Sequence, residues 1–126
     1  EVRLGLIAAT ISPYVVGAVG PRTARALFAT GSVFDAAYAE KIGLITEVVA
    51  DAAGLDAACA RIATEMMACA PIAVADSKKL VEDVAYRPIA DMMEETARRI
   101  ARTRVSPEGQ EGVRAFLDKR KPSWAV

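Results

Sequence analysis

Polar and apolar residues alternate over the first six positions, "EVRLGL", with Glu1 and Arg3 set against Val2, Leu4 and Leu6. A period of two predicts a strand at residues 1–6. "LITEVV" is rich in β-branched residues and predicts a second short strand at 44–49. Between them the pattern is helical. Ser12 is placed as an N-cap with Pro13 in the first turn, and Gly20–Pro21 breaks that helix. Pro21 starts another that stops at Gly31, and Asp35 caps a third that runs to Gly43.

Beyond Gly54 the helices lengthen. Leu55, Cys59, Ile62, Met66 and Ala70 recur at spacings of three and four, which puts them on one face. Pro71 and Pro88 each restart the chain. Ala73, Ser77, Leu80, Val81 and Val84 form the next stripe, and Ile89, Met93, Ala97 and Ile100 the one after. Glu94–Arg98 and Glu95–Arg99 are i,i+4 pairs on the opposite side. Ser106 is an N-cap, Pro107 suits the first helical position, and Glu108 suits the helix dipole. Val113, Phe116 and Leu117 are expected to face inward, and Pro122 ends the helix. The chain therefore reads as mainly α, with a mixed segment at 1–50 and a helical region at 51–126. A lone strand at residues 1–6 lacks ladder partners. The expectation is that these lie upstream of Glu1.

Composition narrows the chemistry. The 126 residues are 53% hydrophobic and 6% aromatic, with no His and a net charge of zero. Without His, a histidine-based triad and a His-ligated metal are excluded within the chain. Residues 1–75 carry 5 basic and 7 acidic side chains, and residues 76–126 carry 11 and 9. The resulting C-terminal bias of +2 suits a phosphate-bearing ligand. Cys59 and Cys69 are ten residues apart on one predicted helix, about 15 Å along its axis, too far for a disulfide. "RRIARTR" (98–104) lacks interleaved aromatics and reads as a solvated face paired with Glu94 and Glu95, so no nucleic-acid partner is expected. With no signal peptide and no apolar run of membrane-spanning length, no membrane partner is expected and the localisation expected is cytoplasmic.

Four segments together carry a likeness to a known family: "EVRLGL", "ARALFATGSVFDAAYAEKIGLITEVV", "AVADSKKLV" and "SPEGQEGVRAFLDKRKPSW". In this order they resemble the C-terminal half of the crotonase superfamily, the enoyl-CoA hydratases and isomerases. The resemblance covers essentially the whole chain. It implies the helical C-terminal part of a crotonase-like α/β spiral fold. Residues 1–50 would end the spiral core, and residues 51–126 would be a helical oligomerisation region. "ISPYVV" is similar to the methylglutaconyl-CoA hydratase-like subgroup. "AATISPY" stands where most hydratases carry a Pro-Gly-x-Gly-Gly-Thr-Gln run.

The resemblance implies water addition to the α,β double bond of an acyl-CoA thioester by two glutamates and an oxyanion hole. The first glutamate and the oxyanion donors belong to the N-terminal half of the family. The second lies in Glu-x-x-Leu-Gly, which is Glu1 here. On its position alone, Glu1 reads as a solvated strand-end charge. Phe116 reads as core, whereas the resemblance sets it beside the coenzyme A adenine of a neighbouring subunit. Asp118 to Lys121 reads as a cationic helix C-terminus, whereas the resemblance sets Lys119 at the coenzyme A phosphates across the subunit boundary. Tyr14, in "ISPY", either lines the acyl pocket or packs. No cofactor is implied beyond coenzyme A as part of the substrate. The implied assembly is a homotrimer or a hexamer. Two alternatives remain: a helical oligomerisation or interaction module without activity of its own, and a crotonase relative with isomerase, hydrolase or decarboxylase chemistry.

Overall fold

A computed structural model describes residues 1–125. After a single 3-10 turn at Val2–Leu4 come α1 (Ser12–Thr30), α2 (Ala36–Lys41), α3 (Ala52–Met67), α4 (Pro71–Val84), α5 (Ile89–Val105) and α6 (Pro107–Leu117). The chain divides into two compact units, Glu1–Leu55 and the residues from Asp56 onward.

The mainly α reading holds, but neither expected strand forms among the described residues. At 1–6 the backbone closes on itself. The N–H groups of Leu4 and Leu6 both donate to the Glu1 carbonyl, at 2.8 and 3.1 Å. Gly5, at φ 74°, turns the chain away from an extended path. At 44–49 the backbone groups go to α2 instead of a ladder. Leu44 N–H donates to the Ala39 carbonyl at 2.9 Å, and Val48 N–H to the Glu40 carboxylate at 3.1 Å. A strand needs a neighbour for its ladder groups, and here Leu4, Leu6, Leu44 and Val48 donate theirs locally.

In the first unit, α1 bends at Gly20–Pro21, where Gly20 leaves the helical conformation. Ser12 is not its N-cap. The cap position is Ile11, and the Ser12 hydroxyl donates to the Ala9 carbonyl at 2.9 Å. Asp35 does cap α2, accepting from Tyr38 N–H at 2.9 Å, and α2 ends at Lys41, two residues before Gly43. Gly31 stops α1 at φ 57°. A side chain there would also meet Val2 Cγ2 at 3.0 Å, so the first turn packs directly on this glycine.

In the second unit the inward faces are not the expected apolar stripes. On α5, Met92 is buried and Thr96, Arg99 and Thr103 are half-buried, while Ile89 and Met93 of the expected stripe are 83% and 66% exposed. On α6, Ala115 is buried, whereas Val113, Phe116 and Leu117 point outward. Periodicity identifies an apolar face without saying what covers it, and this chain leaves those faces open. Ile62 and Met66 are exposed in the same way. The polar inward face of α5 is tied down by charge. Arg99 donates to Asp83 of α4 at 2.7 Å and to Glu95 at 2.8 Å. The hydrogen bond from Arg99 is the main cause holding the Glu95 carboxyl below its ordinary value. The expected Glu94–Arg98 pair also forms, at 2.8 Å.

A single residue, Ser106, joins α5 to α6. Its hydroxyl accepts from Gly109 N–H at 3.0 Å and donates to the Thr103 carbonyl at 2.7 Å. Glu108 does more than favour its own helix dipole. Its two carboxylate oxygens accept from Ile72 N–H (3.1 Å) and Ala73 N–H (2.9 Å) and so cap α4.

Candidate functional site

Two places carry the candidate chemistry, one in each unit. In the first, Glu1 lies at a cleft of about 340 Å³. Val2, Ile11, Val15, Leu27, Phe28 and Phe34 supply much of its lining. The 3-10 turn, anchored on Gly31, sets Glu1 beside the inner side of α1. Ile11 and Val15 are one helical turn apart and present neighbouring side chains to it. Phe34 and Tyr38 pack with ring centres 5.7 Å apart. The Glu1 carboxylate makes no hydrogen bond or ion pair with the described residues, so its oxygens are available to an incoming polar group. An acid–base group beside an apolar cleft suits chemistry on an apolar chain with one reactive polar point.

Tyr14 is not part of that cleft. It is 80% exposed and is not among the residues that line the cleft.

In the second unit, α6 ends in a tight turn that carries Lys119. Lys119 N–H donates to the Phe116 carbonyl at 3.2 Å and Arg120 N–H to the Ala115 carbonyl at 3.0 Å. That pattern is a Schellman-type helix end, where the left-handed residue is usually glycine. Here it is Lys119, at φ 52°. Phe116 is 82% exposed one turn away, so an aromatic face and an ammonium group share this end of α6. A glycine should relieve the strained backbone. Lys119→Gly is expected to raise stability by about 0.5–1 kcal/mol, or a few degrees in Tm. Differential scanning calorimetry measures it, and a fall in Tm would show that the lysine is at ease in this turn.

The turn is clasped by a residue that sequence reasoning missed. Glu111 accepts from Arg120 through both oxygens, at 2.7 and 2.9 Å, and from Ser123 N–H at 3.0 Å. The Arg120 hydrogen bond is the main cause that lowers the Glu111 carboxyl from its ordinary 4.5 to about 2. Because the folded value is depressed, the clasp stabilises the fold above the ordinary carboxylate range. That contribution is lost as pH falls through about 2. The Ser123 amide resonance should titrate with that midpoint, and a midpoint near 4.5 would mean that the clasp does not form in solution. Glu111 and Arg120 are nine residues apart, beyond any helical spacing, so no local pattern marks the pair. Among the described residues no group of three His, Cys, Asp or Glu is placed to hold a metal ion, and no single helix is long and apolar enough to cross a membrane.

Comparison with known proteins adds the context of the whole chain. The family model described as enoyl-CoA hydratase/isomerase matches residues 1–126. A curated relative, a candidate enoyl-CoA hydratase of Thermus thermophilus, is 32% identical over 124 residues, covering 98% of this chain and 49% of the relative. The structure of a Legionella pneumophila candidate enoyl-CoA hydratase/isomerase (crotonase) is 46% identical with a TM-score of 0.81, over 98% of this chain and 48% of that one. Pseudomonas aeruginosa AtuE is 35% identical with a TM-score of 0.89, over 100% of this chain and 49% of AtuE. The chain spans about half the length of the proteins it matches.

Proposed function

Because the chain belongs to the enoyl-CoA hydratase/isomerase family, we propose that it forms the C-terminal part of an enzyme that adds water across the α,β double bond of an acyl-CoA thioester. The observation that carries this reading is Glu1 at an apolar cleft, in the Glu-x-x-Leu-Gly segment. The hydroxyl of water goes to the β-carbon and its proton balance to the α-carbon. A carboxylate takes a proton from water as the C–O bond forms, and a carboxyl group gives one to the α-carbon. Charge accumulates on the thioester oxygen in between and needs fixed N–H donors. In this reading Glu1 is one of the two proton-transfer groups. The other and the oxyanion donors come from the remaining half of the family's length. "ISPYVV" supports a methylglutaconyl-CoA hydratase-like acyl pocket, with Tyr14 as its weakest member because it does not line the cleft beside Glu1.

Lys119 and Phe116 form the coenzyme A handle, the lysine for phosphate and the aromatic ring for the adenine. A phosphate contact remote from the reacting carbon contributes mostly uniform binding. Lys119→Ala should therefore raise KM for crotonyl-CoA about three- to tenfold, with kcat nearly unchanged. A crotonyl thioester truncated at pantetheine should be unaffected, and equal effects on both substrates would contradict the role.

The open apolar faces support self-assembly as a trimer or a pair of trimers. In the second unit Ile89, Met93, Phe116 and Leu117 are all exposed. Light scattering on the 126-residue chain at micromolar concentration should show association, because apolar faces of this extent take partners. A clean monomer at every concentration would contradict the assembly.

A further inference from the structure

The charged residues around Lys119 have unequal roles. Arg120 is held by both oxygens of Glu111, and its Nη1 also donates to the Lys121 carbonyl at 3.1 Å. Asp118 lies 3.7 Å from Arg120 Nε. The Lys119 ammonium makes no ion pair with the described residues. Glu111 grips the chain on the far side of Lys119 twice, through Arg120 and through the Ser123 N–H at 3.0 Å. It stands on α6, whose last turn supplies the carbonyls of Ala115 and Phe116 on the near side.

We propose that Glu111 is a positioning residue: through Arg120 and Ser123 it holds the Asp118–Lys121 turn so that Lys119 presents its ammonium group to a phosphate of the acyl-CoA ligand. The inference rests on the reading of Lys119 given above. A left-handed non-glycine residue persists where its surroundings over-determine it, and strain of this kind clusters at ligand clamps. The bidentate fork of Arg120 on Glu111 gives that over-determination, because two parallel N–H···O bonds fix direction as well as distance. The clasp also neutralises Arg120, so Lys119 meets the anion without its neighbour competing for it. Glu111 itself, being anionic, would repel phosphate and has no direct binding role.

The test uses the active protein that contains this chain, with crotonyl-CoA and crotonyl-pantetheine as probes. Glu111→Gln should raise KM for crotonyl-CoA about three- to tenfold, matching Lys119→Ala, with kcat within about twofold and crotonyl-pantetheine unaffected. Glu111→Asp should recover part of the loss. The double variant Glu111→Gln/Lys119→Ala should be no worse than Lys119→Ala alone, because both act on one contact. The Arg120 amide should exchange with solvent at least about tenfold faster in Glu111→Gln as the turn loosens. If Lys119→Ala raises KM and Glu111→Gln does not, the positioning role is overturned while the Lys119 contact stands. If Lys119→Ala itself has no effect, the contact fails and the positioning role with it. Additive losses in the double variant, or equal losses on both probes, would also overturn the proposal, since they mark a general structural role.

Discussion

Glu1→Gln should lower the turnover of an enoyl-CoA by about two orders of magnitude or more, in the protein that joins this chain to the rest of the family's length. Glutamine keeps the size of the side chain and leaves the apolar wall of Val2, Ile11, Val15 and Leu27 undisturbed. It removes only the capacity to take and return a proton. The loss should therefore appear in kcat, with KM for the thioester nearly constant. Glu1→Asp should fall between wild type and Glu1→Gln, because retracting the carboxylate by one methylene misplaces it but keeps a group that can take and return a proton. Steady-state kinetics on crotonyl-CoA read both variants. A Glu1→Gln protein at near wild-type rate would remove Glu1 from the chemistry and leave the cleft as packing.

Gly109→Ala should have the largest effect on stability. The new methyl group would overlap the Thr103 carbonyl oxygen and press on Ser106 Oγ at 3.2 Å. Neither can retreat cheaply. The Thr103 carbonyl is fixed by the Ser106 hydroxyl, and that hydroxyl also accepts from Gly109 N–H. The overlap should open the corner between α5 and α6 at a cost of about 2–3 kcal/mol, or about 10 °C or more in Tm for a unit of this size. The adjacent Glu108 would then lose its aim at the first N–H groups of α4, so amides there should lose hydrogen-exchange protection as well. Gly112→Ala is the control. Its methyl group would meet the Trp124 ring at 3.1 Å, a longer approach and to a side chain instead of a backbone carbonyl, and should be milder. Equal thermal shifts for the two variants would show that the corner is not as tight as its geometry.

Some of this architecture is written locally and some is not. Asp35 and Ser106 are legible as caps because a cap acts on an N–H three residues away. Pro107 and the pairs of Glu94 and Glu95 with Arg98 and Arg99 are legible for the same reason. The cap that Glu108 places on α4 spans 35 and 36 residues, and no local pattern encodes it. The strand expected at 1–6 fails because a period of two over six residues is weak evidence without a neighbour. Here Gly5 and the Glu1 carbonyl fold the segment into a turn. The α5 stripe of Ile89, Met93 and Ile100 is correctly amphipathic but faces outward, because the pattern carries no information on what covers it. Glu1, Phe116 and Lys119 stand out in the sequence only through the family resemblance. The left-handed backbone at Lys119 and the clasp from Glu111 emerge only in three dimensions.

Water addition to an enoyl thioester, the activity proposed for the protein that contains this chain, is open to direct measurement. Isotopic labelling tests it most directly. Crotonyl-CoA is incubated in oxygen-labelled water with the active protein that contains this chain, and the product is read by mass spectrometry. Hydration predicts a 3-hydroxyacyl-CoA that carries one labelled oxygen at the β-carbon, formed with wild-type protein and nearly absent with Glu1→Gln. A product with a shifted double bond and no labelled oxygen, or label incorporated at the same rate by Glu1→Gln, would contradict the account.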